Sequence, residues 1–458
     1  MAKQKFDYDL IVIGSGAGGS VAATIANTAG KKVAIVEAHR MGGECPNYGC
    51  IPTKAMIHVA EIYQEAKKTS DKGLRSNIMG YNYPSIRAWK DRVVRRTGAA
   101  QGKQYYESLG IDVIHGEAHF LTPYEITVNR QHYTAPNFVV ATGTRTFIPP
   151  IDGLADVPFL TNVEALELNR PPKSVFIVGG GAIGCEFAQL FATFGSKVHM
   201  IDVAPRLLIH EDAEVSNLIA DVFRKQYGMK IILDAKVVSV EREGIARRVT
   251  YRVGDQVHSV RVDELMIASG KQAVVDFGLE NAGVDYTPRN ITVNDRMQTS
   301  ASHIYAVGDV AGPYMFTHTA IYQGRIAAHN LLSPKKPQTV DYRAVPRCIF
   351  LSPEVASVGL TEEECLKYAI DYRKATAPLG IITRSNVADT QDGFAKVIVN
   401  KQGIVIGASV VAPHAGEIIH ELTLAVQLGL KASDIANTLH AFPTWSEIVR
   451  VACAKVSR

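Results

Sequence analysis

Cys45 and Cys50 stand with four residues between them in the stretch GGECPNYGCIPTK (42–54), in a chain with six cysteines in all. A close thiol pair in a reducing compartment points to catalysis or metal binding before it points to a structural staple. A zinc site would need a second Cys/His pair at ligand spacing, and none stands in the sequence, so no resident metal is expected. Cys185, Cys348, Cys365 and Cys453 are scattered and read as ordinary small apolar or surface residues. A lysine, Lys54, follows the pair and is the nearest cation that could act on it.

The pair needs elements to hold it, and the flanking sequence supplies them twice. DLIVIGSGAGGSVAATIANTAGKKVAIVE and SVFIVGGGAIGCEFAQLFATFGSKVHMID share one grammar: apolar strand, glycine turn, helix, second strand, acid. Gly14, Gly16 and Gly19 form one G-x-G-x-x-G; Gly179, Gly181 and Gly184 form the other. Gly14 to Glu37 is 23 residues, and Gly179 to Asp202 is also 23. In such a turn the first glycine makes the bend, the second admits a pyrophosphate and the third lets helix and strand pack. The anion rests on the helix N-terminus and the terminal acid meets ribose hydroxyls. Two dinucleotide sites are therefore expected, with Glu37 and Asp202 as the ribose acids.

Each copy is followed by a returning strand, VVATG ending at Gly143 and MIASG ending at Gly270. A further apolar strand in IYAVGDVAG ends at Gly308 and Asp309, placing a carboxylate where a ribityl or ribose hydroxyl could meet it. Beyond the Pro/Lys-rich SPKKPQ (333–338), the segments VPRCIFLSPEVASVG, AKVIVN and GIVIGASVVA read as antiparallel strands, and IIHELTLAVQLGL and SEIVRVACAKV as helices. The expected fold class is α/β: two Rossmann-like dinucleotide-binding domains plus a C-terminal α+β domain. The expected partition is 1–149 (first dinucleotide-binding domain, first part), 150–270 (second dinucleotide-binding domain), 271–339 (central part) and 340–458 (C-terminal domain).

Bulk properties limit the alternatives. The 458 residues are 47% apolar and 21% charged, with a net charge of +4, too small to argue for nucleic acid or an anionic membrane. The run RAWKDRVVRR (87–96) places Arg87, Lys90, Arg92, Arg95 and Arg96 on a helical stretch, read as a solvated face. MAKQKFDYDLIVIG leads straight into a strand without a signal-peptide pattern, and no apolar run is long enough to span a bilayer. A cytoplasmic location is expected.

Two fingerprints together with a C-x4-C pair that begins 31 residues after the first fingerprint glycine, from Gly14 to Cys45, resemble the pyridine nucleotide–disulfide oxidoreductases, the family of dihydrolipoamide dehydrogenase, glutathione reductase and mercuric reductase. The resemblance covers nearly the whole chain and rests on Gly14, Gly16, Gly19, Glu37, Gly43, Cys45, Cys50, Lys54, Gly143, Gly179, Gly181, Gly184, Glu186, Gly270, Gly308 and Asp309, with HAFPTWSE (440–447) similar to the family's interface motif. It implies FAD on the first site, making 1–149 the FAD-binding domain and 271–339 its FAD-associated central part, a nicotinamide nucleotide on the second, making 150–270 the NAD(H)-binding domain, and a homodimer formed through the C-terminal α+β dimerisation domain, 340–458, with the active site shared across the interface. It also implies a redox-active Cys45–Cys50 disulfide, with Cys50 against the flavin, Cys45 toward the substrate, and Lys54 near the flavin ring partnered by Glu186. Cysteines five apart on a regular helix exceed the Cα separation of about 4.4–6.8 Å that a disulfide accepts, so that disulfide requires a distorted first turn. Pro46 is tolerated there because the first turn needs no N–H. Asp202 would repel a 2′-phosphate, which favours NADH over NADPH; Arg206, four residues on, reads as locally paired.

The interface motif departs from the family. Relatives carry His-Pro-Thr-x-x-Glu, whereas Phe442 precedes Pro443 here; Glu447 is kept, and His440 lies two residues early. Phenylalanine cannot move a proton, and general acid–base help is worth about 10²–10⁴-fold. The expected enzyme thus passes electrons from NADH through FAD and Cys45–Cys50 to an acceptor, a small molecule, disulfide or metal ion, that is not standard lipoamide or glutathione. Mercuric-reductase-like or dihydrolipoamide-dehydrogenase-like activity is the alternative, and a redox-inactive flavin-binding interaction protein a further one. The candidate catalytic set is Cys45, Cys50, Lys54, Glu186, Glu447 and His440. A second departure is Lys271 in SGKQAVV, where relatives carry an arginine in G-R-x-P-N.

Overall fold

In a computed structural model, residues 5–69, 72–74, 80–97 and 102–458 are described. The first four residues of the N-terminal stretch read above lie outside them. The chain divides into two compact units, one of residues 1–56, 84–147 and 270–340, the other of residues 57–83, 148–269 and 341–458.

The first unit is built on a parallel sheet. Its strands run in the order Ile304–Ala306, Phe138–Val140, Leu10–Ile13, Val33–Glu37, Asp112–His115. Leu10 pairs with Val33 and Ile11 with Phe138. Leu10–Ile13 and Val33–Glu37 are buried along their whole length, which explains why they read as unbroken apolar runs: a parallel sheet is covered on both faces. Helix Ala17–Thr28 covers one face with alanines and glycines. It crosses helix Thr317–Leu332 so closely that a Cβ on Gly324 would lie 2.4 Å from the Gly18 carbonyl oxygen. A three-stranded antiparallel meander (Ala118–Thr122, Glu125–Val128, Gln131–Thr134) and a two-stranded ribbon joining Thr144–Thr146 to Lys271–Ala273 complete the unit.

Among the described residues, two hydrophobic cores lie in the second unit. One lies between the parallel sheet ordered Lys230–Ile232, Lys197–Ile201, Ser174–Val178, Glu264–Ile267 and the antiparallel meander Ala235–Glu243, Ala246–Val253, Gln256–Val262; helix Ala182–Thr193 follows strand Ser174–Val178 of this sheet. The other lies between helices Ala415–Leu428 and Glu447–Ser457 and a five-stranded antiparallel sheet ordered Arg347–Ile349, Glu354–Gly359, Val405–Ala412, Phe394–Asn400, Tyr372–Pro378. Thr361 starts helix Glu362–Lys367 with a capping box, its hydroxyl accepting from Glu364 N–H while Glu364 returns to the Thr361 N–H.

One expectation needs correction. The helix carrying the basic run spans Tyr83–Thr97, but Lys90 is not on a solvated face. It is 2% exposed and its ammonium lies 3.0 Å from Asp91. The alkyl stem allows the burial and the adjacent carboxylate keeps the charge tolerable.

Candidate functional site

The three glycines of each fingerprint meet three different constraints, and the two copies meet them alike. Gly14 has φ +102 and a Cβ there would sit 2.3 Å from the Ala141 carbonyl oxygen; Gly179 has φ +116 and the Ala268 oxygen at 2.2 Å. A Cβ on Gly19 would lie 2.1 Å from the Gly14 oxygen, and one on Gly184 would lie 2.0 Å from the Gly179 oxygen. These positions are closed by the protein itself. Gly16 and Gly181 are different: each caps its helix with negative φ, and a Cβ there would meet no heavy atom within 4 Å. Nothing in the polypeptide excludes a side chain at either second glycine, so room for a ligand accounts for them. That room adjoins first-turn N–H groups with no intrahelical acceptor. The residues therefore fit a pyrophosphate at each fingerprint.

The acids complete the cradles. Glu37 is 8% exposed; one carboxylate oxygen accepts from the Ser15 N–H at 2.9 Å and the Ser15 hydroxyl at 2.6 Å, the other from the His39 N–H at 2.8 Å. Asp202 accepts from Gly180 N–H at 2.5 Å and Ala204 N–H at 2.8 Å. Arg206 is committed nearby: its guanidinium donates to the Ile209 and Glu211 carbonyls and pairs with Glu363 at 2.8 Å. Asp309, just after strand Ile304–Ala306, accepts from the Thr144 hydroxyl at 3.4 Å. Burial and then the negative charge of Glu44 push its carboxyl up to about 6, against the pull of Lys271 and Thr144. Gly143, Gly270 and Gly308 all have positive φ, which lets strand ends turn sharply beside the cradles.

The thiol segment is fastened directly to the first cradle. The Ser15 hydroxyl, held by Glu37, accepts from the Gly42 N–H at 3.0 Å. Gly43, with φ +72, lies against the fingerprint, since a Cβ on it would be 2.7 Å from the Gly16 Cα. The chain then forms a four-residue helix, Glu44–Asn47, breaks at Tyr48 and Gly49, and restarts in helix Cys50–Lys67. The break is the distorted turn that the C-x4-C spacing demands: Cys45 sits on the short helix and Cys50 opens the long one. Asn47 ties the short helix back through its amide to the Met41 and Gly43 carbonyls at 3.0 and 2.9 Å.

Cys45 and Cys50 stand as thiols, not joined in a disulfide. A hydrogen bond with Cys50, and then burial, raise the Cys45 thiol far above its ordinary range, while Thr317 and the positive charge of Lys54 pull the other way. The Thr317 hydroxyl lies 3.7 Å from the Cys50 sulfur. Cys45 thus holds its proton strongly beside Cys50. Cys50 is also the more exposed of the two.

The remaining candidates belong to the second unit. Glu186 is 5% exposed and accepts from the Phe350 N–H at 3.0 Å. Glu447 opens the last helix and accepts from Thr444 N–H at 3.4 Å. His440 has both ring nitrogens engaged, Nδ1 with the Thr438 carbonyl at 2.9 Å and Nε2 with Glu421 at 3.0 Å. Phe442 is 70% exposed. The structure brings Cys45, Cys50 and Lys54 together and joins them to Gly43, Gly16 and Glu37; it places Glu186, His440 and Glu447 in a different unit from the thiols. Sequence reasoning missed Ser15, Thr317 and Glu44. Ser15 could have been found from its place inside the fingerprint loop; Thr317, 267 residues from Cys50, carries no such signal.

Comparison with known proteins agrees with this geometry. Residues 8–324 match the family model described as pyridine nucleotide-disulphide oxidoreductase, and residues 345–453 match the dimerisation domain of the same family. The chain is 33% identical over 450 residues to a dihydrolipoyl dehydrogenase of Geobacillus stearothermophilus, covering 96% of this chain and 94% of the relative. It is 34% identical over 449 residues to a mercuric reductase of Staphylococcus aureus, covering 97% and 82%. Among solved structures, the Cu(II) complex of the HOCl-induced flavoprotein disulfide reductase RclA from Escherichia coli superposes with a TM-score of 0.87 at 30% identity, covering 98% of this chain and 99% of that one.

Proposed function

The chain belongs to the pyridine nucleotide-disulphide oxidoreductase family, whose members are FAD- and pyridine nucleotide-dependent enzymes, and from that premise we propose that it moves electrons from NADH to the Cys45–Cys50 pair and on to an acceptor that needs no histidine proton shuttle. In this reading FAD lies on Gly14, Gly16 and Gly19, with Glu37, Gly43, Gly143, Gly308 and Asp309 around it. NADH lies on Gly179, Gly181 and Gly184, with Asp202 and Gly270. Residues 1–149 and 271–339 form the flavin domain, 150–270 the nicotinamide domain and 340–458 the interface domain. Bound FAD would accept hydride from NADH and hand on two electrons; the rest falls to the polypeptide.

The observation that carries the reading is the hydrogen-bonded thiol pair across the helix break, next to the first cradle. Cys45 holds its proton beside Cys50, and Cys50 is assigned the thiolate role that the family resemblance implies. Lys54 contributes positive charge at the pair, and Glu186 is assigned as its partner in the working enzyme. Asp202 and the local commitment of Arg206 support NADH over NADPH, because the Arg206 guanidinium is engaged by the Ile209 and Glu211 carbonyls and by Glu363. A homodimer is proposed from the matched dimerisation domain and from Leu428, Leu439 and Phe442, exposed apolar side chains of the C-terminal portion.

Phe442 directs the choice of acceptor. With no imidazole at that position, and with His440 held at both nitrogens, an acceptor that takes electrons without a thiol proton is favoured. A thiophilic cation meets this, since paired thiolates suit soft metal ions. Two electrons from one NADH reduce one Hg(II) to Hg(0) or two Cu(II) to Cu(I). A dihydrolipoyl-dehydrogenase-like reaction is the second reading; it requires His440 to release Glu421 or Thr438 and act as the base. Anaerobic titration with NADH is expected to give a two-electron-reduced form with a long-wavelength thiolate–flavin band, absent in Cys50→Ser. Direct flavin bleaching without that band rejects the thiol relay. Turnover is then compared for Cu(II), Hg(II), lipoamide, glutathione disulfide, quinones and O₂. Lipoamide turnover as fast as that of the metal ions, and unchanged in His440→Ala, rejects the acceptor assignment.

A further inference from the structure

Lys271, the residue at which the chain departs from its relatives' arginine, forms an ion pair with Glu44, the residue immediately before Cys45. The two are 227 positions apart. Lys271 begins the strand Lys271–Ala273, which pairs with Thr144–Thr146; its side chain is 15% exposed and that of Glu44 is 35% exposed. Glu44 begins the four-residue helix that carries Cys45, a helix with Gly42 and Gly43 on one side and Tyr48 and Gly49 on the other. Both preceding glycines have positive φ. A helix this short has little stability of its own. Its position must come from tethers. Asn47, Gly42 and Gly43 tie it to the nearby chain, and Glu44 ties it to a strand remote in sequence. Asp309 senses both charges of the pair, Glu44 raising its carboxyl and Lys271 lowering it.

We propose that the Glu44–Lys271 ion pair is a positioning device for the redox pair, pinning the Cys45 turn to strand Lys271–Ala273 so that the Cys45 sulfur stays within closing reach of Cys50. This rests on the assignment of Cys45 and Cys50 as a disulfide pair. Disulfide geometry tolerates little error, with sulfurs about 2.05 Å apart and a restricted dihedral. A turn free to drift spends less time in the closing arrangement, and the effective concentration of one thiol at the other falls. Removing Lys271 does this twice, by cutting the tether and by leaving the charge of Glu44 on Asp309 without that of Lys271.

The test is equilibration of the FAD-loaded protein with glutathione buffers, followed by acid quench and thiol counting. In this exchange the Cys45–Cys50 bond forms as the glutathione disulfide bond breaks; two electrons and two protons pass to glutathione. Glu44→Gln and Lys271→Gln are each expected to lower the equilibrium constant for closure about tenfold, which for a two-electron couple is about 30 mV. They are also expected to make Cys45 alkylate faster with iodoacetamide. Lys271→Arg, which keeps the charge, and the exchanged pair Glu44→Lys with Lys271→Glu are expected to return the constant to within about threefold of the parent. Single variants within twofold of the parent refute the tether, as does a Lys271→Arg that falls as far as Lys271→Gln, or an exchanged pair that stays low. A parent that forms no Cys45–Cys50 disulfide refutes the thiol assignment itself, and the tether with it; a normal parent with unmoved variants refutes the tether alone.

Discussion

Lys396→Met is expected to destabilise the second unit by about 3–5 kcal/mol at pH 7.5, the usual cost of deleting one partner from a buried ion pair. Lys396 stands in the strand Phe394–Asn400 with a fully buried side chain, and its ammonium lies 3.2 Å from Asp212, 3.0 Å from Glu214 and 2.9 Å from Glu362. The carboxylates come from the start of helix Ala213–Tyr227 and from helix Glu362–Lys367, so one lysine holds the C-terminal sheet to the nucleotide-binding fold beneath. Its removal leaves oxygens of three carboxylates within 4.8 Å of one another, with Lys374 the remaining cation. Two charges at that separation repel by roughly 3–4 kcal/mol at an effective dielectric of about 20. Asp212 keeps hydrogen bonds from Ser409 and the Glu362 N–H, both at 2.9 Å, and Glu362 keeps Tyr372 at 2.8 Å; these hold the loss toward the lower end. The sign with pH is fixed. Burial by itself would raise the Glu362 carboxyl, but hydrogen bonds from Lys374, Lys396 and Tyr372 outweigh it and hold it at about 2, below the ordinary 4.5. The parent therefore gains stability from Glu362 above pH 4.5 and loses it as pH falls toward 2. Without Lys396 the carboxylates protonate more readily, and the deficit of the variant must shrink between pH 7.5 and pH 5. Urea titration followed by far-UV circular dichroism and by Trp445 fluorescence measures it, Trp445 being packed on the C-terminal core. A deficit below about 1 kcal/mol at pH 7.5, or one that grows at pH 5, refutes the reasoning.

Other outcomes follow from the same geometry. Gly14→Ala is expected to impair folding, because its Cβ meets the Ala141 oxygen at 2.3 Å, whereas Gly16→Ala folds and loses flavin affinity by more than about tenfold; circular dichroism and flavin fluorescence separate the two. Gly181→Ala is expected to keep flavin and raise the KM for NADH, measured under steady state. Asp309, pushed up to about 6, is the stronger acceptor for a flavin hydroxyl when ionised; flavin affinity is therefore expected to weaken as pH falls below 6, and Asp309→Asn flattens this contribution in equilibrium dialysis between pH 5 and 7.5. Phe442→His is expected to raise lipoamide turnover by up to about 10²-fold while leaving metal-ion turnover unchanged; no gain with lipoamide counts against Phe442 as the reason for acceptor choice.

The parts legible in the sequence were those where one residue type answers one local constraint. Gly14 and Gly179 need positive φ, Gly19 and Gly184 need closeness, and the strands between them are buried on both faces; each requirement leaves a mark within a few positions. The meander at 235–262 was not legible, because its strand Gln256–Val262 is exposed along most of its length and carries little apolar rhythm. Lys396 lies inside AKVIVN and Lys90 inside a basic run, and both are buried against carboxylates that composition cannot align with them. Glu44 and Lys271 are an ordinary acid and an ordinary base until folding closes the 227 residues between them.

Gly43 against the Gly16 Cα, and the chain Glu37–Ser15–Gly42, make the first glycine cradle and the thiol turn a single piece of backbone. Free energy cannot then be assigned to one without the other. Whatever factor flavin occupancy imposes on the alkylation equilibrium of Cys45 with a reversible reagent, a mixed disulfide at Cys45 must impose on flavin affinity, because linkage between two sites is reciprocal. Thiol modification of this protein should therefore register as a change in flavin retention, and loss of flavin as a change in thiol chemistry, before any substrate is present.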